Sequence, residues 1–129
     1  MFLFFTISTK YYVKLQEAFA SEKTELGSFA AIGYKTPGAG NNDKTTVFDY
    51  SGQASAAPAN GVANWDAETL VGLNECKKGK KWLLKATFSE SSGNVTITVG
   101  SDDESNCITP LTPNFCNLAT GGKCTLSSL

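Results

Sequence analysis

Four cysteines, Cys76, Cys107, Cys116 and Cys124, all fall in the second half of a chain of 129 residues, and this constrains the fold more than any other feature. An even set of cysteines in so short a chain reads as a disulfide framework made in an oxidising, exported setting. A zinc site would carry close ligand pairs such as C-x-x-C, and none of these spacings is that short. Three pairings are open. The sequential one, Cys76–Cys107 and Cys116–Cys124, joins neighbouring elements of the layout described below. The length suits one domain, residues 1–129, and 41% hydrophobic residues supply enough apolar material for its core.

The charged residues narrow the function. Eleven lysines stand against twelve acids, with no arginine and no histidine. Without arginine the chain lacks the usual bidentate reader of phosphate and base edges, so nucleic acid is not an expected partner. Without histidine it lacks the commonest general base and metal ligand. No nucleophile, base and charge stabiliser assemble into a recognisable set, and there is no glycine-rich phosphate loop or dinucleotide fingerprint. The expectation is a non-enzymatic protein without a cofactor. The amino terminus, residues 1–7, is apolar but has no basic n-region or small-residue cleavage site, and it falls short of the ~20 apolar residues of a spanning helix. Exported cysteine usage beside such a terminus implies a missing leader.

Residues 9–26 contain no glycine or proline, and Tyr12, Leu15, Phe19 and Leu26 recur at helical steps. Lys10, Lys14, Glu17, Glu22 and Lys23 form the other face, and Gly27 stands at the expected cap. Phe2 to Phe5 extend the apolar stripe upstream, as core if covered and as an interface if exposed. The helix is assigned to residues 1–26. Residues 27–46 follow as a long loop tethered by Phe29, Ile32 and Tyr34, with turn chemistry at Gly33, Pro37-Gly38 and 40–43.

The period then changes to two. Thr46, Phe48 and Tyr50 alternate with Val47 and Asp49, and residues 52–61 form a small-residue loop. Trp65, Ala67, Thr69, Val71 and Leu73 share one side of a second strand. Trp82, Leu84, Ala86 and Phe88 alternate with Lys81, Lys85 and Thr87 in a third, and Val95, Ile97 and Val99 with Thr96 and Thr98 in a fourth. The expected fold is α+β: one amino-terminal amphipathic helix across a four-stranded antiparallel sheet at 46–99, then a disulfide-stapled carboxyl-terminal loop region at 100–129. That last region has little periodicity, so the disulfides are expected to compensate for a thin core.

Several blocks of this layout resemble a known family. Leu15-Gln16-Glu17-Ala18-Phe19, Leu26-Gly27-Ser28-Phe29, and Ile32-Gly33-Tyr34 with Pro37-Gly38 resemble the helix end and following loop of a group of bacterial major type IV pilins. Trp65, Leu73-Asn74-Glu75-Cys76 and Leu111-Thr112-Pro113-Asn114-Phe115 continue the likeness into the sheet and tail. Pilins resemble one another most in an amino-terminal Gly-Phe-Thr-Leu-Ile-Glu type segment and a long apolar helix, and this chain has neither. What the resemblance implies is the head of a homo-oligomeric surface filament, a pilus or fimbrium serving cell adhesion or motility. Membrane contact would run only through the absent amino-terminal segment, and an adhesion target would lie outside the cell. The alternatives are a secreted carbohydrate- or protein-binding module, which an exposed aromatic row would favour, and a minor pseudopilin of a secretion apparatus.

The candidate contact residues have bland readings beside the sharp ones. Lys77, Lys78, Lys80 and Lys81 form a basic run at a sheet turn, either simply hydrated or meeting Asp102, Asp103 and Glu104 of a neighbouring subunit as a rim contact. Phe2, Phe4 and Phe5 are the apolar candidates for subunit contact. Asp102, Glu104 and Asn106 offer oxygens for calcium but lack the twelve-residue EF-hand pattern, so a solvated turn is the simpler reading. Trp65, Trp82, Tyr34 and Tyr50 are a sugar-stacking platform or core; their periodicity favours core. Asn94-Val95-Thr96 fits a glycosylation acceptor.

Overall fold

The computed structural model describes residues 3–37, 44–54, 61–89 and 91–129, with the backbone alone at 3–4 and 53–54. Helix α1 (Leu3–Lys23) is followed by a single turn, α2 (Phe29–Ile32), and by strands β1 (Phe48–Ala54), β2 (Val62–Thr69), β3 (Lys81–Ser89) and β4 (Asn94–Ser101). A π-helical turn at Glu104–Ile108 runs into α3 (Thr109–Leu111), a 3₁₀ turn covers Phe115–Leu118, and β5 (Cys124–Leu126) ends the order. The sheet is five-stranded, in the order β1-β2-β3-β4-β5. The first three pairings are antiparallel, as the alternation requires, but β5 joins β4 in parallel, so the sheet is mixed.

The register explains the core. Across one face run the rows Tyr50–Ala67–Trp82–Ser101, Gly52–Trp65–Leu84–Val99 and Ala63–Ala86–Ile97, with large side chains set beside small ones so that α1 can lie close. The anchor is Phe5, buried against the rings of Phe48 (4.6 Å between centroids), Trp82 (5.4 Å), Trp65 (5.6 Å) and Phe115 (6.0 Å). Burying one such ring contributes about 1.5–3 kcal/mol. A second aromatic group, Tyr12, Phe29 and Tyr34, pins α2 beneath the helix. Among the described residues the buried side-chain polar atoms are paired: Trp82 Nε1 donates to Thr112 Oγ1 (2.7 Å), Trp65 Nε1 to the Tyr34 hydroxyl (3.2 Å), and Tyr34 shares a hydrogen bond with Ser8 (2.7 Å).

The expected four-stranded antiparallel sheet is thus corrected to five strands with a parallel edge, because the Cys116–Cys124 bond and the bare Gly100 backbone let β5 lie along β4, and three further expectations are corrected. First, the helix stops at Lys23, not at 26, and Gly27 is not its cap. Thr24 takes a left-handed φ of 56°, its N–H donating to Ala20 O (2.9 Å). Gly27 is instead held by Gln16, whose Oε1 accepts the Gly27 N–H (3.0 Å) while Nε2 donates to the Gly27 carbonyl (2.7 Å). Second, β2 ends at Thr69. Leu70 turns out of the sheet with its N–H on Val47 O (2.7 Å), leaving Val71 exposed where it was expected on the buried face. Third, residues 100–129 are no thin-cored loop, because Cys107, Ile108, Thr112, Phe115 and Ala119 are all buried and β5 extends the sheet.

Both disulfides form in the sequential pairing, Cys76–Cys107 with 4.8 Å between Cα atoms and Cys116–Cys124 with 4.9 Å. Two such bonds place the chain in an oxidising compartment, extracellular or periplasmic. No helix among the described residues is long and apolar enough to cross a membrane.

Candidate functional site

The basic run sits on a rigid platform at one end of the sheet. Thr69, the buried last residue of β2, donates its hydroxyl to Lys77 O (2.9 Å) and accepts the Lys80 N–H at the same oxygen (3.0 Å), while Gly79 N–H reaches Thr69 O (2.9 Å). The turn is thereby folded back on its own strand, with Gly79 at φ 88°. Lys77 and Lys78 project into solvent and Lys80 is half-buried. Lys81 opens β3, its Nζ 3.8 Å from Glu68 Oε1 in an exposed pair of little energetic weight.

The acidic run lies beside it in the same molecule. Asp102 Oδ1 accepts the Lys81 N–H (3.1 Å), and the Asp103 carboxylate accepts from Asn106 Nδ2 at 3.2 and 3.3 Å. The Cys76–Cys107 bond, buried at both ends, ties the two turns together. The contact foreseen between neighbouring subunits therefore begins as a contact within one chain. Lys77, Lys78, Asp102 and Glu104 are its exposed members without an ion pair among the described residues, and of these Asp102 is already engaged by the Lys81 backbone N–H.

On the outer face of the sheet, one row reads Ser51–Asp66–Leu83–Gly100–Leu126 across all five strands. Leu83 is only 3% exposed although it faces away from the main core. Gly100 has no Cβ, and one placed there would collide with the Leu126 backbone, so β5 settles over this spot. Asp66, Lys81, Leu83, Asp102 and Ser127–Leu129 line an open cleft of about 370 Å³, with Asp66 Oδ1 accepting from Ser51 Oγ (2.7 Å). Both carboxylates are thus oriented by donors. Leu83 leaves one trace in the sequence, the unbroken apolar triplet Trp82-Leu83-Leu84 inside an alternating strand.

The remaining candidates resolve by burial. Trp65, Trp82, Tyr34 and Tyr50 lie in the core and form no exposed platform. Burial, with the Tyr34 charge second, pushes the Tyr50 phenol well above its ordinary range. Phe5 is core; Phe2 and the side chain of Phe4 lie outside the described residues. Ile7 and Tyr11, one turn apart on α1, are instead the exposed large apolar residues there, at 52% and 54%. Glu104 lies near Cys116 and Cys124, but those sulfurs are bonded to each other and are not metal ligands. Comparison with protein-family models, curated proteins and solved structures finds no match to this chain.

Proposed function

We propose that this chain is the exported head of a type IV pilin-like subunit, displayed on a cell-surface filament that serves adhesion or motility. The observation that carries the reading is the pairing of one long amino-terminal helix, laid on an antiparallel meander, with Ile7 and Tyr11 exposed near the start of that helix. Large apolar side chains on the solvent face of a helix are what a subunit contact requires. The disulfide-bounded carboxyl-terminal region and the loop pinned by Phe29, Ile32 and Tyr34 agree with the same reading. Function then lies in assembly and display, without catalysis or cofactor.

A secreted binding module would gain support from an exposed aromatic row, and the four rings that could have formed one are buried. A minor pseudopilin of a secretion apparatus shares the fold and differs in abundance. The test is electron microscopy of the native protein on its cells and in shear-released surface material, with intact mass measured on the same sample. Filaments built from a longer chain with an apolar amino-terminal helix are expected. A soluble monomer beginning at Met1 would overturn the filament reading.

A further inference from the structure

The Asn94-Val95-Thr96 triplet plays no part in the filament reading, yet it occupies a position with its own logic. The β3–β4 hairpin turns at 91–93, where Gly93 (φ 71°) donates its N–H to Ser89 O (2.7 Å). Asn94 opens β4 opposite Ser89. Residues two apart on a strand point to the same side, and Asn94 and Thr96 are both exposed while Val95 between them is half-buried. The Asn94 carboxamide and the Thr96 hydroxyl have no hydrogen-bond partner among the described residues. Ladder pairing of β4 with β5 is confined to Val99 and Gly100, and Thr120 covers only Ile97, so the backbone edge at 94–96 away from β3 is open. An extended segment with one free edge can be read by a partner along its backbone.

The alternation of β4 places Asn94 and Thr96 with Gly100 on the outer face of the sheet, away from α1 and from the Ile97 and Val99 side chains, so the acceptor side chain stands clear of the helix. The compartment is the oxidising one in which exported chains meet glycosylation.

We propose that Asn94 is an N-linked glycan attachment site. The co-reactant is a glycosyl diphosphate donor carried on a lipid. Asn94 Nδ2 bonds to the anomeric carbon and loses one proton, and the carbon–oxygen bond to the diphosphate breaks with its electron pair leaving on that oxygen. Nothing is oxidised or reduced. Thr96 is the hydroxyl that a transferase reads two residues downstream. This site requires export only and stands whether or not the chain forms filaments.

The test is peptide mapping of the protein isolated from its own cells. The peptide released by cleavage after Lys85 and Lys123 is expected to carry a glycan that peptide-N-glycosidase removes, converting Asn94 to the acid. Asn94→Gln and Thr96→Ala lose the modification, whereas Thr96→Ser retains it, a contrast that a merely structural role would not produce. An unmodified native peptide, or a glycan on Ser91 or Ser92 instead, would overturn the assignment.

Discussion

Gln16 joins helix to loop at the scale of single atoms, because its one amide satisfies both backbone groups of the buried Gly27 and also donates to the Tyr12 hydroxyl at 3.0 Å. Gln16→Leu keeps the volume and strands those groups, so urea unfolding is expected to show a loss of about 2–4 kcal/mol. A loss below about 0.5 kcal/mol, the size of an ordinary surface change, would refute the clamp. Tyr12 itself has its pKa pushed up to about 12 by burial, with the Gln16 hydrogen bond working the other way and the Tyr34 charge adding to the rise. The unfolded chain, with a phenol near ~10, releases its proton first. Stability is therefore intact below pH ~10 and drains toward ~12 at up to about 1.4 kcal/mol per pH unit. Unfolding and near-ultraviolet phenolate absorbance should rise together over that window, and melting that stays flat through it would contradict the assignment. Gln16 was not legible as a core residue, since a polar side chain breaks an apolar stripe and its partner at Gly27 is fixed only by the tertiary fold.

Among the elements, β5 depends on features remote from its own sequence. Its three residues, with Thr125 exposed between half-buried Cys124 and Leu126, carry no strand signal; Cys116 and Gly100 hold them in place, one by a covalent bond and the other by having no side chain. Replacing Cys116 and Cys124 with serine is expected to cost about 2.5 kcal/mol from loop entropy, and losing Cys76–Cys107 about 3.7 kcal/mol for its longer loop. Hydrogen exchange should speed up at 124–126 in the first variant while β2 and β3 stay protected. Equal acceleration throughout would mean that β5 belongs to the same cooperative unit as the meander. The four antiparallel partners were legible because Phe48, Tyr50, Trp65, Trp82, Ile97 and Val99 keep strict period-two spacing. The helix end was misread because a glycine just past an apolar stripe normally caps it, and nothing local announces that Thr24 takes the left-handed turn. The outer-face cleft was illegible for a related reason, since Asp66, Lys81 and Asp102 meet only through register and through the return of 127–129.

At the scale of the whole molecule, opposite charges are gathered at one end, with the Cys76–Cys107 bond beside both runs. Intrachain bonds occupy Asp102 and engage Lys81 with Glu68, so contact between subunits in the proposed filament falls to Lys77, Lys78 and Glu104. Reversing both lysines to glutamate is expected to weaken assembly by the ~0.2–1 kcal/mol of a rim pair at each contact, with partial rescue by Glu104→Lys. Raising salt from ~0.1 to ~1 M shortens the screening length from ~10 to ~3 Å and should weaken wild-type assembly in the same direction, as read by sedimentation. Assembly indifferent to both changes would exclude the charged end from the contact. The strand order, finally, follows the chain order, and this has a kinetic consequence. Four strands can zip together from neighbours close in sequence, whereas the parallel return of β5 must wait for the whole intervening segment to close, which makes it the slow, late step. Until then Leu83 lies bare on the outside of an otherwise finished sheet, and a chain caught at that stage presents a sticky edge to its neighbours.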